Sequence, residues 1–238
     1  MTTRHTISRA NQLFSHGAYY PPFNRVPGLP ADQTCNYVPG GSLPPLPTDL
    51  GVIAAAAANN IATSQASTGG NNALAINGAL ATAGVATIDV ARNIVAAWTT
   101  TAVMTVTGTD FYGQTQTEAS ASGTSWTGAK AFKTITAVTF STAVTAATVG
   151  TGVKIGMPFL VGVNGILDAL TDSLPDTTYT LVVGDQTSPA TSSTGDVRGT
   201  VAASTAPNGT HKYFYNMRVY DRTGGIDKKS GAFGVTPA

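Results

Sequence analysis

The chain has 238 residues, of which 42% are hydrophobic and 11% charged, and its formal net charge is +1. That composition is too apolar for a disordered chain, too neutral to draw nucleic acid or an anionic membrane by long-range field, and long enough for one or two packed cores. The single Cys35 excludes an internal disulfide framework and any multi-cysteine metal centre.

The N-terminal stretch MTTRHTISRANQLFSHG lacks the apolar core of a secretory signal. The apolar run Val52 to Ala58 is far shorter than the roughly 20 residues a helix needs to cross a bilayer. A protein made and kept in a cytoplasm, without membrane contact, is expected.

Residues 1–50 hold eight of the thirteen prolines, including the run Tyr19-Tyr20-Pro21-Pro22-Phe23. Proline removes backbone donors and forbids helix, so this segment reads as an extended arm. Arg4, Arg9 and Arg25 precede the first acid, Asp32, and the arm also carries Phe14, Tyr19, Tyr20 and Phe23. So aromatic an arm orders against another surface or packs on its own domain. Those seven basic and aromatic residues are the candidate contacts with a partner.

From Gly51 the texture changes to Ala, Thr, Gly and Val in short alternations, which suit a pleated, half-buried sheet. The run Ala54 to Ala58 has room for one helical turn before Asn59 and Asn60 end it. Strands are predicted at 73–80, 86–94, 102–109, 114–119, 131–141 and 179–183. In 102–109, Met104 and Val106 face one way while Val103, Thr105 and Thr107 face the other. Asp110 and Gly113 supply the turn chemistry that pairs 102–109 with 114–119 as an antiparallel hairpin. A linker is predicted over 162–175. A second hairpin is predicted from 202–210, with its Asn208-Gly209 turn, into the aromatic strand 212–220.

The expected fold class is therefore all-β: antiparallel β-sandwich modules preceded by an extended proline-rich arm. The divisions are an arm at 1–50, a sandwich at 51–162 and a C-terminal β region at 163–238, the last being either a second small domain or an extension of the first.

Motifs for chemistry are sparse. A catalytic triad needs a positioned base, and the histidines are His5, His16 and His211, two of them in the arm. Gly123-Thr124-Ser125-Trp126-Thr127 lacks the last glycine of a nucleophile elbow and reads as a surface turn. Asp168, Asp172 and Asp176 would share one face of a helix, but Pro175 breaks it, so they read as solvated loop acids. Gly150, Gly152 and Gly156 miss the dinucleotide spacing and open no helix, so they read as a β-turn. The cluster Tyr213, Phe214, Tyr215 and Tyr220, with Lys212, Arg218 and Arg222, is either a core-and-rim strand, an interface, or a stacking platform for sugar or single-stranded nucleic acid. The expectation is no enzyme, no catalytic residue, no cofactor and no metal.

Five stretches together resemble tailed-bacteriophage virion structural proteins that decorate or cement the head: GVATIDVARNI (84–94), VTGTDFYGQ (106–114), KAFKTITAVT (130–139), GTGVKIGMPF (150–159) and SPATSSTGDVRGTV (188–201). The resemblance spans most of 70–220 and excludes the arm; Ala91 stands where the pattern has proline. It implies an all-β protein without catalysis, seated on the outer surface of a capsid, binding the major capsid protein and often trimeric. The expected location is the capsid exterior, after assembly in the host cytoplasm, with no direct contact to nucleic acid. The alternative is a tail or fibre module that binds glycan through an aromatic face.

Overall fold

The computed structural model describes residues 46–186, 195–217 and 234–238. The chain divides into Met1–Pro44, outside the described residues, and a compact unit Pro45–Ala238. The described residues contain no helix and fourteen strands. They are β1 (Leu46–Val52), β2 (Ala57–Gln65), β3 (Ala81–Thr82), β4 (Val85–Ala102), β5 (Met104–Thr109), β6 (Thr115–Ala119) and β7 (Gly123–Thr127), followed by β8 (Phe132–Phe140), β9 (Ala147–Gly156), β10 (Ile166–Thr171), β11 (Leu174–Pro175), β12 (Thr180–Val183), β13 (Gly199–Ala202) and β14 (Lys212–Met217).

The pairings are antiparallel and form two sheets, which together make a curled, sandwich-like all-β body. The smaller has the order β1-β14-β10-β11; the larger has ten strands along the path β12-β13-β9-β4-β8-β5-β6, with β2 added on β9 and β3 and β7 on β4. The eighteen-residue β4 makes the curl possible. Its first part, Ala86 to Arg92, pairs with β8, and Val95 to Ala97 pair with β9 and β7 at once; a shift of register within each of the three pairings bends the strand.

Side-chain alternation explains which face is buried. Along β5, Met104 and Val106 are fully buried while Thr105 and Thr107 are half-buried, and the predicted hairpin to β6 is present from Thr105↔Ala119 to Thr109↔Thr115. On β8 strict alternation fails: Ile135 and Val138, three residues apart, both face inward. A bulge resolves this, since Thr107 pairs with Ala137 but Gly108 pairs with Ile135, leaving Thr136 opposite no residue. Only glycine fits at 108, because a Cβ there would run into the Thr134 carbonyl.

Two apolar clusters fill the interior. The first joins β2, β4, β5, β8 and the start of β9, with Trp98 edge-on to Phe140 at a centroid distance of 5.1 Å. The second lies between the sheets: Tyr213, Tyr215 and Met217 of β14 with Ile166 and Ala169 of β10 face Ile155 of β9 and Val201 of β13. Fully burying an apolar side chain of this size contributes about 1.5–3 kcal/mol. The tyrosines of β14 are thus core, as the plainer of the readings above had it.

Several local expectations are overturned. Residues 73–80 form no strand; Ala73 makes only isolated bridges to Thr68 and Thr139, and the segment is held by Gly78 and Leu80 N–H groups donating to Ile61 and Asn60 carbonyls. The run at Ala54 to Ala58 makes no helical turn and enters β2 at Ala57. The expected linker over 162–175 contains β10 and β11, because Ile166 and Ala169 find the second core to bury into. The glycines at 150, 152 and 156 lie inside β9 rather than in a turn, and residues 123–127 form β7. No hairpin joins 202–210 to 212–220: β13 and β14 belong to different sheets, and the Asn208-Gly209 turn is tied by the Gly209 N–H to the Ile53 carbonyl.

Candidate functional site

Fifteen Asp, Glu, Lys and Arg residues lie among the described residues, and seven of them are buried: Arg92, Asp110, Glu118, Lys130, Asp176, Asp196 and Arg198. Charged groups leave water only when partners replace the lost hydration. Each of these has such partners.

Arg92 leaves β4 between the two apolar clusters. Its Nε and Nη2 donate to the Gly152 carbonyl at 2.9 and 2.6 Å, and its Nη1 donates to the Ala54 carbonyl at 2.7 Å. Burial pulls its pKa down, opposed by Asp89, whose carboxylate stands 4.0 Å away. Beside it, Asn93 donates to the Gly128 carbonyl and accepts from the Lys154 N–H, fastening β4 to β9 and to the turn before β8.

The other pole surrounds the β5–β6 hairpin. Asp110 Oδ1 accepts the Tyr112 and Gln114 N–H groups, both at 2.8 Å, which shapes the turn, while Oδ2 accepts Arg198 Nη2 at 2.7 Å. The Arg198 guanidinium also lies 5.1 Å from the Tyr112 ring centroid, and the Tyr112 hydroxyl donates to the Pro158 carbonyl. Three successive amides next receive two carboxylates. Glu118 accepts from Ala129 and Lys130, and Asp196 accepts from Ala131 as well as from Arg198 and Gly199. Burial pushes Glu118 up to about 7, outweighing its amide donors and Lys130; Asp196 is raised for the same reason. Lys130 Nζ turns away to the Thr117 and Ala238 oxygens at 2.9 and 2.5 Å, and burial lowers its pKa. This network binds β6, the turn before β8 and segment 195–199 together.

What remains on the described surface is poor in charge. With seven charges buried, eight of the fifteen are left for the described surface. That surface presents instead Thr99, Thr100 and Thr101 on β4, together with exposed Val52, Val153, Val163, Leu167, Leu174, Val182 and Val183. The larger clefts are shallow recesses. One of about 310 Å³ is lined by Tyr112, Gln114, Arg198 and residues 234–236, and one of about 360 Å³ by Ala57, Asn93, Thr151 and their neighbours.

No family model, curated protein or solved structure matches the chain.

The residues singled out by sequence fall into three groups. Arg4, Arg9, Phe14, Tyr19, Tyr20, Phe23 and Arg25 lie outside the described residues, as do Arg218, Tyr220 and Arg222. The acids at 168, 172 and 176 share no face. Asp168, exposed on β10, accepts from Asn216 of β14, Asp172 sits in the β10–β11 turn against His211 and the Lys212 N–H, and Asp176 is buried, accepting the Thr178 and Ser204 N–H groups. The two contacts at Asp172 hold its carboxyl below the usual range, the amide most. This His211–Asp172 pair is exposed on a hairpin tip. Sequence reasoning missed the buried charges. Their signal was phase: Gln116 and Glu118 occupy inward positions of β6, and Arg92 and Asn93 sit within a buried run of β4.

Proposed function

We propose that this chain is a non-enzymatic virion structural protein of a tailed bacteriophage, bound to the outer surface of the head and cementing neighbouring major capsid protein subunits, most simply as a homotrimer. The observation that carries the reading is the surface. A soluble domain ordinarily carries about a quarter or more of its surface as charged residues. This one turns nearly half of its described charges inward and shows Thr, Ala and Val outward. Such a face suits a repeated protein lattice, where recognition is by shape and many modest contacts add through multivalency. The resemblance of the five stretches to head decoration proteins is in keeping with the same reading. The arm, with Arg4, Arg9, Phe14, Tyr19, Tyr20, Phe23 and Arg25, is the proposed attachment device; it would order on the capsid and bury much area for a short segment.

The test is occupancy. Purified heads lacking the protein are mixed with the full chain or with a version lacking residues 1–44, then pelleted and quantified. The reading expects the full chain at near-lattice stoichiometry and the truncated chain at least about tenfold weaker, the loss of one of two linked attachments. Binding in only a few copies per particle points instead to a tail or fibre module, and unchanged occupancy without the arm removes the arm from the mechanism.

A further inference from the structure

Three asparagines in the chain precede glycine: Asn77, Asn164 and Asn208. This is the dipeptide in which the following backbone nitrogen is least hindered from attacking the side-chain carboxamide. The reaction needs two freedoms. The carboxamide must swing toward its own backbone, and the glycine nitrogen must leave its hydrogen bond.

The three sites differ on both counts. Asn77 Oδ1 accepts the Thr63 N–H at 2.9 Å and its hydroxyl at 3.0 Å, and Gly78 N–H is bound to the Ile61 carbonyl across to β2. Asn208 Oδ1 accepts the Thr210 N–H and hydroxyl and the His211 N–H, and Gly209 N–H is bound to the distant Ile53 carbonyl. Asn164 is different. Its side chain is exposed and has no hydrogen-bond partner among the described residues, and its backbone sits at φ +57°. The Gly165 N–H donates only to the Gly162 carbonyl inside the same turn, a local bond that opens without unpairing any strand.

We infer that Asn164 is a site of spontaneous, non-enzymatic deamidation, at which the native fold protects the other two Asn-Gly pairs. The Gly165 nitrogen gives its proton to solvent base and bonds to the Asn164 side-chain carbonyl carbon. Solvent acid protonates Nδ2, the carbon's bond to it breaks and ammonia leaves, giving a succinimide. Water then opens the ring at either carbonyl, leaving aspartate or isoaspartate. The product adds a negative charge to a described surface that carries eight charged side chains, next to exposed Val163 and close in sequence to exposed Leu167. The isoaspartyl form also lengthens the backbone beside Gly165, which is packed against the Val161 side chain.

The experiment incubates the full chain, native and denatured, in mildly alkaline buffer and follows tryptic peptides by mass spectrometry. Cleavage after Lys154 and Arg198 yields a peptide, 155–198, whose single asparagine is Asn164. In the native protein this peptide gains one dalton and splits into aspartyl and isoaspartyl forms about tenfold or more faster than the peptides holding Asn77 and Asn208, because there the glycine N–H bonds to carbonyls distant in the chain must open first. Denaturation brings the three rates together. Asn164→Gln abolishes the early acidic species on isoelectric focusing. Equal rates in the native protein, earlier reaction at Asn77 or Asn208, or persistence of that species in Asn164→Gln each overturns the inference.

Discussion

Raising the pH through neutrality should loosen this fold, and Glu118 is the reason. Its carboxyl is 2% exposed and held to about 7 by burial, against an ordinary value of 4.5. The folded protein therefore keeps a proton that the unfolded chain has released, so folding takes up a proton between those two values. Stability contributed by that proton is complete below about pH 4.5 and is lost as pH rises through about 7. The gap corresponds to about 3 kcal/mol, a substantial part of the 5–15 kcal/mol that holds a typical domain folded. Asp196, raised in the same direction by burial, adds to the slope. The assay is urea unfolding of the wild type and of E118Q at a series of pH values from about 4.5 to 8. Glutamine keeps the shape but offers one acceptor where Ala129 and Lys130 present two donors, so E118Q begins weaker by about 1–3 kcal/mol at acid pH. The wild-type curve should then fall toward the variant's as pH rises, and the difference between the two isolates the part that belongs to Glu118. A constant difference from acid to alkaline pH would refute the claim that Glu118 holds its proton in the fold.

Asp110→Ala removes the partner of a guanidinium that is 2% exposed and should cost about 3–5 kcal/mol in denaturant unfolding, whereas D110A combined with R198M should recover much of it. A loss below about 1 kcal/mol in the single variant would mean that water reaches Arg198. Gly150→Ala forces a methyl into the Ala57 carbonyl where β2 crosses β9 and should prevent folding or lower the melting point steeply. Gly123→Ala, with nothing closer than 3.8 Å, should shift stability by no more than about 1 kcal/mol either way.

Much of the fold was legible because β alternation survives in the sequence wherever one face is buried. Met104 and Val106 against Thr105 and Thr107 located β5, and Asp110 with Gly113 gave its hairpin to β6. Failures came where partners distant in the chain decide. The segment 162–175 reads as a loop because Asn164-Gly165 and Asp172-Ser173 interrupt it, yet β10 fits between them once β14 is available to pair with. The Asn208-Gly209 turn has hairpin chemistry, but β13 is already paired on both sides, by β12 and β9, so the chain crosses to the other sheet. Glycines 150 and 152 look like turn residues by composition. Their reason is contact, with β2 and Asn93 lying where side chains would be, and no local pattern announces that.

The buried charges were the least legible feature. An Arg or Glu in a chain this poor in charge is read by default as part of the solvated surface, because burial of a charge is expensive in isolation. Here the expense is offset by backbone groups that the curl of the sheet leaves unpaired. The Gly152 and Ala54 carbonyls meet Arg92, and the Ala129, Lys130 and Ala131 amides meet Glu118 and Asp196. Irregular backbone at bulges and turns creates donors and acceptors in the interior, and charged side chains answer them more strongly than neutral ones do. The same trade leaves the described exterior poor in charge. The charge-poor, threonine-bearing exterior of the described residues is therefore partly a consequence of how the curled sheet satisfies its own polar groups, and it is also the face with which we propose the protein meets its lattice.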